Sequence, residues 1–490
     1  MKTQKNHLYP LSGKHLSQVC KTCIVKGGIR AFGAALLFFT TFSCEDFVEI
    51  DPPTTEITTE ALFEDRTAIV AALNGLYSEI LATPNNMFNA GLEIFTGTAS
   101  GEFINYSSDR NNTEFALNDL QPDNIIVNNN FWTFAYQIIN QANLLIEGIS
   151  GASFIDPRID QALGEALFMR AFTHFYLVNL FGEVPYVSTT GIATNNSIGK
   201  TSVALIYENI TADLTRAQSL MMADYSFVSN EERVRPNRGA ATALLARVYL
   251  YLEDWANAEV QATQVIDNDL YALDTVLNDV FKPASPEAIW QLIPNTPGIN
   301  TNHGFRFLLD FILPGDGLVT TSMSNDLVNT FDPSDNRLSS WVGTRDLGEE
   351  TFYYPFKYKE FFRTGDLPDE YTVVFRLAEQ YLIRSEARTR QNNISGARED
   401  LNIIRNRAGL GDTPASDQPS LLDAIMQERK VELFAEWGHR WLDLKRNGRI
   451  DRELSNLPEK DWQPTDALWP IPEEELLNNP NLLPQNPGYN

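Results

Sequence analysis

"ALLARVYLYLEDWANAEVQATQVI", residues 243–266, carries two runs of apolar and small side chains at helical spacing, parted by the acidic break Glu253-Asp254. Leu245, Ala246 and Tyr249 share a face of the first run, and Ala258 and Ala262 share a face of the second. Alanine at such places removes the bulk that keeps helix axes apart. The two runs are therefore predicted to close into a tight hairpin.

These offsets are those of a helix-turn-helix repeat of the tetratricopeptide kind. They recur more weakly across 372–408, through Ala397 and Leu401. Working outward, Leu62, Ile69, Leu73 and Leu76 form one helical stripe, and Phe131, Phe134, Ile138, Ala142 and Leu145 form another. Further helices are predicted near 161–180, 202–221, 238–252, 255–267, 372–391, 395–408 and 420–446. The last carries Leu422, Met426, Leu433, Trp437, Trp441 and Leu444, and Asn447-Gly448 follows as a C-cap. The chain reads as mostly α, with helical hairpins stacked into a rigid scaffold. Such stripes are normally core rather than cofactor contacts.

Two stretches, 82–127 and 268–370, break this period with clustered Gly, Asn, Asp and Pro, yet they are rich in aromatics, among them Phe103, Tyr106, Trp341, Phe352 and Tyr354. Irregular segments of that length are usually functional or disordered, and the aromatic content argues for function. They are expected to carry the ligand.

At the other end, Lys2, Lys5, Lys14, Lys21, Lys26 and Arg30 precede the apolar run Ala31–Phe42, with no acid before Glu45. Its 12 residues fall short of the roughly 20 needed to span a bilayer. This is an export leader, and it stops at Cys44, directly before Glu45-Asp46. Residues 1–43 are thus expected to be removed, 44–58 to form an extended Pro/Thr-rich tether, and 59–490 to fold. All three cysteines lie at or before Cys44, so the rest of the chain has neither a disulfide framework nor a cysteine metal site. The CxxC formed by Cys20 and Cys23 falls inside the leader.

The full chain has a net charge of −26, and loss of the six leader cations would make it more negative still. That balance opposes nucleic-acid binding, which requires basic surface. Outside the leader stand three histidines, His174, His303 and His439, none at metal-ligand spacing; no GxSxG, phosphate loop or dinucleotide fingerprint occurs. Among 64 acids some pair could always be nominated for glycoside hydrolysis, but sequence does not supply the separation that chemistry needs. No cofactor and no catalytic residue is assigned. Aromatic side chains among amides and carboxylates instead suit capture of sugar rings.

Six blocks in order carry a family resemblance: "ALGEALFMRAFTHFYLVNLFGEVPYV" (162–187), "RGAATALLARVYLYLEDWANAE" (238–259), "FRLAEQYLIRSEA" (375–387), "AREDLNIIRNRAGL" (397–410), "ERKVELFAEWGHRWLDLKRNG" (428–448) and "LWPIPEEELLNNPNLLPQNPGY" (468–489). They resemble the SusD/RagB family of outer-membrane nutrient-binding lipoproteins. The resemblance implies four tetratricopeptide-like helix pairs with a loop-rich ligand-bearing portion, and an N-terminal part of about 59–330 followed by a C-terminal part of about 331–490. It further implies acylation of Cys44, an address to the outer face carried by Glu45 and Asp46, and delivery of a nutrient, commonly an oligosaccharide, to a SusC-like TonB-dependent transporter. A peptide cargo, as in some relatives, and a glycan-degrading enzyme are the alternatives. The loop "GEFINYSSDRNN" (101–112) resembles by position the one at the ligand site of glycan-binding members. The expected ligand residues are Asn105, Tyr106, Asp109 and Arg110, with Trp341 and Tyr354 from the longer irregular stretch.

Overall fold

The computed structural model describes residues 62–151, 156–309 and 321–489; Cys44 and the expected leader and tether, residues 1–43 and 44–58, lie outside the described residues. The principal helices are α1 (Arg66–Ala82), α2 (Leu92–Ala99), α3 (Arg110–Leu117), α4 (Phe134–Gly151), α5 (Pro157–Phe181), α6 (Val203–Leu220), α7 (Arg238–Tyr251), α8 (Trp255–Ile266), α9 (Leu377–Arg390), α10 (Ile394–Arg407), α11 (Gln418–Glu432) and α12 (His439–Arg446). From α4 to α12 each helix packs on the next in chain order, and α1 packs on α4 and α5.

α5 lies at the centre, enclosed along nearly its whole length because most of its side chains are apolar or small; its buried Glu165 and Arg170 are paired with Arg235 and Asp213. Asp156 caps its start by accepting from the Arg158 amide, with Pro157 following, where a missing N–H costs nothing. Phe168 and Phe172 on α5 meet Trp290 and Phe375 edge-on at 5.3–6.3 Å, joining the helices to a small sheet.

The hairpin predicted from 243–266 is α7–α8. Ala246, Ala258 and Ala262 are fully buried and cluster with Leu250, Ile383 and Ala387, so the small side chains admit α9 as well. Arg247, which interrupts the apolar run, is itself buried and pairs with Glu379 of α9 at 2.7 Å while donating to the Tyr176 hydroxyl. It clamps α5, α7 and α9 together, although more than 100 residues separate α8 from α9.

Two helix boundaries differ from expectation. Residues 372–376 are not helix but the strand β6 (Thr372–Arg376), antiparallel to β2 (Ala288–Leu292), with every residue of both strands buried. The β-branched run Thr372-Val373-Val374 suits that strand. The helix expected over 420–446 breaks between α11 and α12, where Ala435, Trp437 and Gly438 adopt positive φ. Long-range bonds hold this turn: the Trp437 amide donates to Glu93 Oε1 at 2.9 Å and its indole N–H to the Val373 carbonyl at 2.7 Å. Asn447 and Gly448 then terminate α12 as predicted.

The stretch 82–127 is more regular than its composition suggests, since it contains α2 and α3. Within 268–370 run β2, β3 (Thr321–Met323), β4 (Val342–Leu347) and β5 (Glu350–Pro355). Together with β1 (Phe103–Asn105), three of these form an antiparallel sheet in the order β1-β3-β5-β4.

Candidate ligand-binding site

That four-stranded sheet joins the two irregular stretches. Strand alternation places Phe103, Met323 and Tyr353 toward the main core, where Phe103 packs on Phe307 at 5.2 Å. The opposite face carries Ile104, Ser322, Phe352 and Arg345, with Phe352 directly across from Arg345. Ile104 is exposed, whereas Phe352 and Arg345 are half-buried. Just past β1, Tyr106 meets Phe352 edge-on at 5.7 Å, and its hydroxyl lies 3.0 Å from Ser322 Oγ. Beside them stand Leu308, Leu309 and Phe361 with the half-buried Phe305 and Phe356. Aromatic edges, an aliphatic side chain, the Tyr106 hydroxyl and the Arg345 guanidinium, which also donates to the Leu309 carbonyl, thus share one partly open surface over the buried Ser322 hydroxyl.

The sequence-predicted residues take different positions around this face. Asn105 and Tyr106 lie at its edge, both partly accessible. The Asn105 side chain bridges the turn, donating to the Ser107 carbonyl and accepting from the Ser107 amide. Asp109 caps α3; burial is slight and opposes ionisation, but donors from Asn111 and Asn112 outweigh it and hold the carboxyl below the usual range. Arg110 is exposed and engaged by Asp123 and Glu114, each at 2.6 Å, which raises an already high pKa. Both side chains have structural partners and both are exposed at the start of α3.

Trp341 does not reach this surface, and Tyr354, on the same sheet face as Phe352, is buried in the cluster with Leu308, Leu309 and Phe361. Trp341 is fully buried: its N–H donates to the Leu277 carbonyl at 2.9 Å, Phe281 meets its edge, and Lys357, Arg376 and Arg407 lie over its ring within 6.0 Å. Those cations belong to a buried network in which Arg376 pairs with Glu287, Glu432 and Glu436, Arg337 with Asp335, Glu428 and Glu432, Arg407 with Glu287 and Glu432, and Lys357 with Glu436. The indole faces are spent on that network, and none is left for a sugar. Tyr354 lies flat over Gly343, where an added Cβ would stand 2.3 Å from the ring, and only 4% of the residue is exposed.

Sequence reading missed Phe352, Arg345 and Ser322 as partners of Tyr106. A local signal existed: "VGTRDLGEETFYYP" (342–355) is two short alternating runs around Gly348-Glu349, a two-residue hairpin turn with Gly348 at φ 69°. Nothing local reveals that this hairpin joins β1 through β3.

The histidines are structural in placement. His174 is wholly buried in α5, its Nδ1 2.9 Å from the Arg170 carbonyl, and burial lowers its pKa to about 3. His439 is buried and held well below the usual range, first by burial and then by Arg247 and Arg429. Among the described residues no group of His, Cys, Asp and Glu is placed to hold a metal ion, and no described helix is long and apolar enough to cross a membrane.

Comparison with known proteins matches this architecture. A family model described as "Starch-binding associating with outer membrane" matches residues 46–250, and the SusD family model matches 347–489. SusD-like protein P25 of Formosa agariphila is 26% identical over 524 residues, covering 92% of this chain and 98% of that one. A SusD-like protein of Bacteroides ovatus is 21% identical over 375 residues, 64% of each chain. Among solved structures, a SusD-like protein from Bacteroides fragilis superposes with a TM-score of 0.75 at 21% identity, over 89% of this chain and all of that one. A laminarin-binding SusD-like protein gives 0.73 at 22% identity, over 87% of this chain and 100% of the other. Family models at both ends of the chain, relatives along most of its length and a common fold lead to one conclusion: the chain belongs to the SusD/RagB family.

Proposed function

We propose that this protein is a non-enzymatic lipoprotein of the outer-membrane surface that captures an oligosaccharide and delivers it to a SusC-like TonB-dependent transporter. Cys44 is the acylated residue, and multiple acylation holds the protein, because a single chain binds a membrane only weakly. The ligand lies on the β1–β5 face, with Tyr106 and Phe352 covering the C–H faces of sugar rings. Asn105 and Arg345 bond hydroxyls nearby, and Asp109 and Arg110 do so from the rim.

The observation that carries this reading is the contact between Tyr106 and Phe352, which brings the 101–112 loop and the 342–355 hairpin into one aromatic, polar-edged surface. The family description refers to starch binding and the outer membrane, and one structural neighbour is named for laminarin binding, which supports the ligand class. Titration calorimetry against oligosaccharide and peptide panels tests the cargo. Purification from detergent-solubilised outer membrane tests the partner: a TonB-dependent transporter is expected to co-purify, and its absence under inducing conditions would remove the delivery role.

A further inference from the structure

A cavity of about 640 Å³ opens between the start of α4, the segment 185–196 and the C-terminal segment 475–482, on elements that take no part in the β1–β5 face. Its apolar wall includes Tyr136, Pro185, Val187, Ile192 and Leu482. Tyr136 is pre-set: its hydroxyl donates to the Pro185 carbonyl at 2.9 Å, and its ring packs on Trp132 at 5.2 Å. Trp132 is itself wedged edge-on against Phe181 and hydrogen-bonded to Glu475. The walls beside it are braced by Asn195 donating to the Thr189 carbonyl at 2.7 Å and Asn479 donating to the Ile198 carbonyl at 2.8 Å.

Three amide side chains that line this cavity, Asn140, Asn196 and Asn478, have no side-chain hydrogen bond to any described residue. Each can offer both an acceptor and a donor pair. The lining includes one carboxylate, Glu475, and no lysine, arginine or histidine, so nothing there neutralises a phosphate or a carboxylate. A volume within the roughly 300–1,000 Å³ typical of ligand sites, an immobilised aromatic wall and unspent neutral amides select an uncharged, hydroxyl-rich molecule.

We infer that the cavity between α4 and the C-terminal segment is a second saccharide-binding site, in which Tyr136 covers a sugar ring while Asn140, Asn196, Asn478 and Glu475 bond its hydroxyls. Its ligand class rests on the saccharide reading above, but its geometry is independent of the β1–β5 face. A chain with two such sites holds a long glycan at two points, and joining two binding events on one ligand raises overall affinity without any new contact.

The test uses the full chain in detergent, titrated by calorimetry and by saturation-transfer NMR with maltohexaose, laminarihexaose, cellohexaose, xylohexaose and mannohexaose, and with an uncharged tripeptide. A Tyr106→Ala/Arg345→Ala/Phe352→Ala triple variant, which strips the β1–β5 face of both rings and its guanidinium, isolates the cavity. In that background, Asn140→Ala and Asn478→Ala, both exposed positions whose side chains support no neighbour, should each weaken the remaining saccharide binding about fivefold, the loss expected for one hydrogen bond. Loss of all binding in that triple variant, unchanged affinity when Asn140→Ala and Asn478→Ala are added to it, saturation by the tripeptide only, or no saccharide bound at millimolar concentration would each overturn the second site. If instead the triple variant binds as the parent does while Asn140→Ala/Asn478→Ala in the parent abolishes binding, the cavity stands and the β1–β5 face falls.

Discussion

Lys357 Nζ lies 4.8 Å from the centre of the Trp341 indole, both side chains are buried, and the ammonium is shared with Glu436. An aromatic ring covered by a protein cation is a structural partner rather than a ligand platform. Replacing Trp341 by alanine should therefore cost about 3–5 kcal/mol of stability, the range for large aromatic truncations in a core. Chemical denaturation measures that loss, and the variant fraction that remains folded should bind ligand with unchanged affinity.

Tyr106→Ala and Phe352→Ala remove the two rings that meet at the sheet edge. Each should weaken oligosaccharide binding by about 1 kcal/mol or more by calorimetry, with little change in unfolding midpoint for the partly accessible Tyr106. Unaltered affinity in both would exclude the β1–β5 face as the site.

Glu432 accepts from Arg337, Arg376 and Arg407, and these partners hold its carboxyl well below the usual range despite the opposing effect of complete burial. Glu432→Gln leaves three buried guanidiniums with less negative charge among them. Removal of one partner from a buried ion network typically costs about 3–5 kcal/mol, which should appear as a lowered thermal midpoint.

Burial keeps His174 neutral, with a pKa near 3 in the folded protein against the ordinary value of 6.5 in the unfolded chain. Between those values the unfolded state binds the extra proton, so stability falls as pH drops through the window and is unaffected by this group above it. The contribution lost between pH 7 and pH 5 is about 2 kcal/mol. A His174→Gln variant should show a smaller drop in denaturation midpoint over that interval than the parent; an equal drop would assign the acid sensitivity to other groups.

Cys44→Ala should abolish incorporation of a fatty-acid probe and release the protein from the membrane fraction, while the soluble variant keeps its ligand affinity. Retention in the outer membrane would show that something other than acylation holds it.

Much of the scaffold could be read locally. The period of α4, α5 and α7 and the alanines of the α7–α8 hairpin are visible because a helix is stabilised by neighbours within a few residues. The break at Ala435–Gly438 was not visible, since the bonds that hold it come from Glu93 and Val373, far away in the chain. Strand β6 was read as the first turn of α9 for the same reason, because its partner β2 lies more than 80 residues earlier. Of the predicted ligand residues, Tyr106 meets the candidate face, Asn105 lies beside it at the end of β1, Asp109 and Arg110 are exposed at the start of α3, Tyr354 is buried on that same face, and Trp341 is in the interior.

By itself, the amino-acid order determined a helical-hairpin body and a store of aromatics outside the regular helices. Only the tertiary structure decided which of those aromatics meet solvent. A ring's exposure depends on what is packed against its two faces, and for Trp341 the covering groups come from residues 16 to 66 positions away, brought in by charge pairing that no local pattern records.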